Sequence, residues 1–257
     1  MEKTIVVGDI HGHIPTVEAA LASPCNVVFV GDYLDSFSQG PENQVACLRM
    51  VLDAAEAEPD RVVALRGNHE MSYMVLEMRC SGYNQHTATL VTHLQQRMWD
   101  TLKAFHWVGE YLITHAGVDQ ELLDSEQITV EEYLEGGNFL QIGTSRGGYA
   151  YAGGLYWNDF TAEMIPVPGL KQVVGHSNSN RNERDVEGVR VKRMNGGETW
   201  CVDNLNRTWE VLMIDVDGVA KPVPLLDKCR NCREAGNYID LLSREGRCET
   251  CYIQREM

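Results

Sequence analysis

Val6-Val7-Gly8-Asp9-Ile10-His11-Gly12 is the stretch on which the reading of the fold turns. The apolar run from Ile5 to Val7 has the character of a buried strand, and it ends on a glycine followed by a carboxylate and an imidazole two residues apart. Residues two apart in an extended chain point the same way, so Asp9 and His11 can converge just beyond the strand. Such a meeting suggests a metal ion.

The same pattern recurs outward from this stretch. Val27 to Val30 runs into Gly31-Asp32, and Val62 to Leu65 into Arg66-Gly67-Asn68-His69. Tyr111 to Thr114 runs into His115-Ala116-Gly117, and Val173-Val174 into Gly175-His176. In α/β sheets the loops at the carboxyl ends of strands gather into one crevice, so ligands far apart in sequence can meet there. A single His or Asp at a strand end is ordinarily structural; five matching ends are hard to explain that way. A mixed set of carboxylate, imidazole and amide donors suits manganese, iron or zinc better than magnesium or calcium.

Between the strands, Thr16 to Leu21 reads as a short helix. Pro41 opens a second, in which Val45, Leu48, Val51, Leu52 and Ala55 keep helical spacing up to Pro59. The pattern from Glu70 to about Phe105 is helical with a break near Ser81-Gly82, and Glu121 to Glu135 reads as one further helix. The glycine-rich run from Gly143 to Gly154 reads as a long loop. Val189 to Ile214 looks like antiparallel strands with turns, and Pro222 and Pro224 mark the expected end of the main domain.

The 257 residues, 44% hydrophobic and 23% charged, describe an ordinary globular chain able to bury a sizeable core. No apolar run is long enough to span a bilayer, and the first strand begins with no signal-like segment before it, so a cytoplasmic protein is expected. The net charge of −15 disfavours a nonspecific grip on nucleic acid or anionic lipid. It does not exclude a phosphorylated substrate, because bound metal would neutralise part of the excess. Cys25, Cys47, Cys80 and Cys201 are scattered and expected to be buried thiols.

Cys229-x-x-Cys232 and Cys248-x-x-Cys251, fifteen residues apart, have the spacing of a four-thiolate zinc site. A closed thiolate site is structural, and a reducing compartment argues against the alternative of disulfides. The expected organisation is therefore a main domain over residues 1–220 and a small zinc-binding tail over 221–257, too small to fold without its metal.

Gly8-Asp9-Ile10-His11-Gly12, Gly31-Asp32-Tyr33-Leu34-Asp35, Gly67-Asn68-His69-Glu70, His115-Ala116-Gly117 and Gly175-His176 resemble the successive signatures of calcineurin-like metallophosphoesterases. The resemblance covers roughly residues 4 to 215. It is nearest to the serine/threonine phosphatase branch, which includes phage lambda phosphatase and bacterial diadenosine tetraphosphate hydrolases. It implies an α/β (α+β) fold, a β-sandwich of mixed sheets flanked by helices. By the same resemblance Asp9, His11 and Asp32 would hold a first divalent transition metal, and Asp32, Asn68, His115 and His176 a second, with Asp32 bridging. Manganese is the first expectation, iron or zinc the alternatives. The metals would activate a hydroxide for attack on phosphorus without a phospho-enzyme.

His69 resembles the family's general acid and Asp35 the carboxylate that orients it. Arg146 stands where the family has a phosphate-binding arginine; Asn68, Arg181 and Arg184 are further candidates for that contact. The sequence departs from the branch at Ser36, where a clamp arginine is usual, and Trp157 is read as core packing. Asn178 stands where nuclease and diesterase branches carry a second histidine, which favours the phosphatase branch. The expected activity is hydrolysis of phosphomonoesters, above all phosphoprotein Ser/Thr phosphate, with other small phosphoesters as possible substrates. Symmetric cleavage of a dinucleoside polyphosphate is the alternative, and a non-enzymatic binding module that recruits a partner through the zinc tail is a third reading. No membrane partner is expected and the oligomeric state is left open.

Overall fold

Hydrophobic side chains alternate along the strands and fill two different cores, which sets the layering. The computed structural model describes residues 2–75, 77–177, 191–194, 198–204, 210–228 and 235–237. In chain order the first half holds β1 (Thr4–Val7), α1 (Ile14–Leu21), β2 (Asn26–Phe29), α2 (Pro41–Ala57), β3 (Val62–Ala64) and α3 (Asn68–Met74). There follow α4 (Gln85–Val91), α5 (Gln95–Thr101), β4 (Phe105–Val108), β5 (Tyr111–Thr114), α6 (Gln120–Glu126) and α7 (Val130–Gly136). The last part holds β6 (Lys171–Val174), β7 (Lys192–Arg193), β8 (Thr199–Cys201), β9 (Glu210–Ile214), β10 (Ala220–Pro224) and a separate pair, β11 (Leu226–Lys228) with β12 (Ala235–Asn237).

Two five-stranded mixed sheets result, in the orders β10-β9-β1-β2-β3 and β4-β5-β6-β8-β7. Within the first sheet Ile5, Val7, Val27, Phe29, Val62 and Ala64 pack against α1, α2, α4 and α5. Their neighbours Val6, Val28, Val30, Val63 and Leu65 face the other way, against Ile113, Val173 and Val202 of the second sheet. Leu112 on the outer side of that sheet packs on Leu122, Leu123 and Tyr133 of α6 and α7. The expected helix-flanked sandwich is the fold observed.

Several elements differ from the sequence reading. The single helix expected over 121–135 is two. Gln127 ends α6 in the left-handed region, and Thr129 caps α7 in a reciprocal bond pair with Glu132. Phe105, expected to end a helix, opens β4, because Gly109 at φ 58° turns the chain back and pairs Phe105 with Thr114 of β5. β8 is antiparallel only to β7; it runs parallel to β6. Pro222 and Pro224 lie inside edge strand β10, where a missing N–H costs no ladder bond on the open side, so the sheet runs to Pro224.

The topology gathers the site. β1, β2 and β3 are mutually parallel, as are β5 and β6, so five carboxyl ends project from one rim of the sandwich. Bonds across the two sheets tie this rim. The His176 amide donates to both oxygens of Asp9 at 3.1 Å, and His115 Nδ1 lies 2.9 Å from the Val30 carbonyl.

Candidate active site

Asp9, His11, Asp32, Asn68, His115 and His176 all sit just past the strand ends named above, and the fold brings them to one place. His11, Asp32, Asp35 and His176 have φ of 45°, 54°, 58° and 61°, the left-handed region that side chains rarely adopt. Four such residues in one site mark a backbone held against its preference by its surroundings. Two glycines permit the close approach: a Cβ on Gly67 would lie 2.0 Å from Asp32 Oδ1, and one on Gly175 2.3 Å from Asp9 Oδ1.

Glu70 holds the second and third motifs together. Its Oε1 accepts from the amides of Tyr33 (2.8 Å) and Leu34 (3.2 Å), and its Oε2 from those of Asp32 (2.8 Å) and Gly67 (3.0 Å). The motif resemblance assigns Glu70 no role; its place three residues after Gly67, at the start of α3, is the sequence signal for this clamp.

The donor set fits divalent cations on its own chemistry. His11 Nδ1 lies 2.8 Å from the Leu34 carbonyl and His115 Nδ1 2.9 Å from that of Val30, so each ring donates there and turns the lone pair of Nε2 inward. His115 Nε2 then lies 2.9 Å from Asn68 Oδ1, 3.3 Å from His176 Nδ1 and 3.5 Å from Asp32 Oδ1. With its oxygen inward, Asn68 faces only acceptors; with its amide turned, the NH2 would donate to the same atoms. Lone pairs converging on one point are what a cation stabilises. His11 Nε2 is 3.9 Å from Asp32 Oδ2 on the other side of the same carboxylate, so Asp32 alone touches both halves of the set.

Burial and crowding push these groups away from their ordinary charge states. Desolvation, then the charges of Asp203 and Asp32, push Asp9 well up, and desolvation pushes Asp32 up to about 8. Desolvation pulls His11 down to about 4 and His115 to about 3. Bound cations would favour the ionised carboxylates and neutral imidazoles.

His69 stands beside this set. Its Nε2 is 3.8 Å from Asp32 Oδ2 and its Nδ1 3.0 Å from Asp35 Oδ2, while Tyr73 donates its hydroxyl to Asp35 Oδ1. Burial works against charge on His69, but Asp32 and Asp35 outweigh it and hold the imidazolium well above its usual range. His69 lines a cavity of about 490 Å³ with Asp9, His11, Asp32, Asn68 and His176, closed further by Trp157, Arg146, Arg79, Cys80 and Asp203. Trp157 is buried, as expected, yet it also meets His176 edge to face at 6.0 Å.

Arg146 enters the cavity from a short 3₁₀ turn, with its guanidinium 2.9 Å from Asp159 Oδ2. Arg79 was not foreseen. It lines the same cavity and stacks over Tyr83 at 4.6 Å, and it forms no ion pair among the described residues. Arg181, Arg184, Asn178 and the tail cysteines Cys229, Cys232, Cys248 and Cys251 lie outside the described residues.

Comparison with known proteins gives the class first. The sequence model of the calcineurin-like phosphoesterase family matches residues 2–204, and the chain belongs to that family. That family uses a dinuclear divalent metal site, and the structure holds candidate His and Asp groups for one. More particularly, residues of this chain are 38% identical over 79 positions to serine/threonine-protein phosphatase 7 of Arabidopsis thaliana. That match covers 28% of this chain and spans only 18% of the plant protein. Among solved structures, a cold-active protein-tyrosine phosphatase of a psychrophilic Shewanella species superposes with a TM-score of 0.58 at 15% identity, over 86% of this chain and 80% of that one. A protein serine/threonine phosphatase from Saccharomyces cerevisiae gives 0.53 at 16% identity, over 86% and 79%. No helix among the described residues is long and apolar enough to cross a membrane.

Proposed function

We propose that this chain hydrolyses phosphomonoesters of the serine/threonine phosphoprotein type. The convergence of Asp32, Asn68, His115 and His176 on one side, and of Asp9 and His11 on the other, carries the reading. The stretch shared with the plant serine/threonine phosphatase supports the substrate class. Those six residues would hold two divalent cations, manganese in the first instance, which supply positive charge to the phosphoryl group and an activated water.

The chain's own groups do the rest. His69 holds a proton at Nε2 toward the metal side of the cavity, for delivery to the leaving oxygen, while Nδ1 donates to Asp35. The Tyr73 hydroxyl occupies Asp35 Oδ1, which leaves Oδ2 to fix the imidazole. Arg146, steadied by Asp159, and Arg79 present guanidinium groups to the phosphate. Arg79 takes up the part that the usual arginine would play at Ser36. The tail cysteines are proposed to hold one structural zinc.

The test is metal analysis of the purified chain with a panel of phosphoserine peptide, phosphotyrosine peptide, p-nitrophenyl phosphate, its bis ester and diadenosine tetraphosphate. Hydrolysis led by the phosphoserine peptide supports the proposal, and preference for the dinucleotide or the diester overturns the substrate class. His69→Asn should retain the metals and lose most turnover on the peptide. Unchanged peptide turnover would remove His69 from its assigned role.

A further inference from the structure

The wall of the cavity carries a soft donor that the hydrolytic reading leaves unused. Cys80 follows α3, and its backbone amide donates to Ser72 Oγ at 3.1 Å, which fixes the residue at the cavity edge. Its Sγ lies 3.3 Å from His69 Nδ1 and 3.9 Å from Asp35 Oδ2, and those two atoms are 3.0 Å apart. Thiolate, imidazole and carboxylate donors on tetrahedral zinc, at about 2.3, 2.0 and 2.0 Å, stand about 3.3–3.6 Å from one another. Shifts of about 0.4 Å or less would bring all three separations to that geometry.

We propose that Cys80, His69 and Asp35 form a third cation site, selective for a thiophilic divalent ion such as zinc, whose occupation inhibits the enzyme. None of its three residues belongs to the six-residue set described above. A thiolate donor disfavours magnesium, calcium and manganese and selects zinc or cadmium. An ion between His69 Nδ1 and Asp35 Oδ2 breaks the bond through which Asp35 orients the imidazole. The inhibition therefore rests on the roles proposed above for His69 and Asp35; the binding does not.

The experiment uses the full chain loaded with manganese, as wild type, Cys80→Ser and Cys80→Ala. Cobalt(II) is titrated as a spectroscopic probe and zinc as the inhibitor, with phosphoserine peptide as substrate. The expected result is a thiolate-to-cobalt charge-transfer absorbance in the wild type that exceeds that of both variants, since tail thiolates contribute equally to all three. Zinc should inhibit the wild type at concentrations at least tenfold lower than either variant, reversibly on chelation, while activity without zinc is retained. Equal absorbance and equal zinc sensitivity in the three proteins would overturn the site. Lost absorbance with unchanged zinc sensitivity would keep the site and overturn inhibition, and a wild type inactive on every substrate would sink the proposed function without touching the cobalt result.

Discussion

Glu70→Gln is the substitution that should damage this molecule most for the smallest change in shape. The glutamine side chain fills the same volume, so no cavity opens. One carboxylate oxygen, however, becomes an NH2 group, and each oxygen of Glu70 serves two buried amides: Tyr33 and Leu34 at Oε1, Asp32 and Gly67 at Oε2. Whichever way the amide turns, two backbone N–H groups face a donor. An unsatisfied buried donor costs about 1–3 kcal/mol, so the loss should be about 2–6 kcal/mol, a large part of the roughly 5–15 kcal/mol that holds a domain folded. Urea unfolding of metal-free wild type and variant measures it directly as a shift in midpoint at constant slope. Metal affinity should fall as well, because the Asp32 amide and the φ of 54° at Asp32 depend on that clamp. A destabilisation under about 1 kcal/mol, with metal content intact, would refute the view that Glu70 holds the site in its strained form.

Arg79→Ala should raise KM for phosphopeptide about tenfold or more, the equivalent of one charge-assisted hydrogen bond, with kcat changed far less, and should weaken inhibition by inorganic phosphate in parallel; an unchanged KM removes Arg79 from phosphate binding. The metal-free protein should lose stability between pH 6.5 and 8, because folded Asp32, raised to about 8, keeps a proton that the unfolded chain has released. The lowered values of His11 (about 4) and His115 (about 3) act in the opposite sense, strongest at and below pH 6.5 and fading about one unit above it as the unfolded imidazoles lose their protons, while His69, held above its usual range, adds to the loss. The slope is at most about 1.4 kcal/mol per pH unit for one proton, and manganese loading should flatten or reverse it; a metal-free stability that rises from pH 6.5 to 8 contradicts the assignment.

The parts of the fold that sequence reveals are those where one periodicity has no competitor. The apolar runs at Ile5, Val27, Val62 and Tyr111 read as strands because they are short, β-branched or aromatic, and end on glycine or histidine motifs. Helical spacing from Pro41 to Ala57 has no rival either. The errors fall where local pattern and long-range pairing disagree. Phe105 keeps the helical period of the residues before it, but a hairpin with β5 takes it instead. β8 looks like one more antiparallel strand, and only its place beside β6 gives it a parallel partner.

The site was legible to the same degree for a related reason. Residues that reach one another from strand ends stand beside glycine and in repeated motifs, so Asp9, His11, Asp32, Asn68, His115 and His176 are weak signals singly and stand out as a set. Groups that act on those residues from the side have no motif. Tyr73 sits 38 positions from Asp35, and Cys80 45 positions from it, in a segment whose sequence reads only as helix and turn. Their nearness to Asp35 follows from the course of α3 and how the chain turns at Gly82, where φ is +90° and an added Cβ would stand 3.0 Å from that of Asp35. The motif residues carry the resemblance to the family. The side chains that no motif announces, Arg79 in the cavity and the Cys80 thiol against the imidazole of His69, come from the connection between α3 and α4, where the sequence is silent and the packing decides.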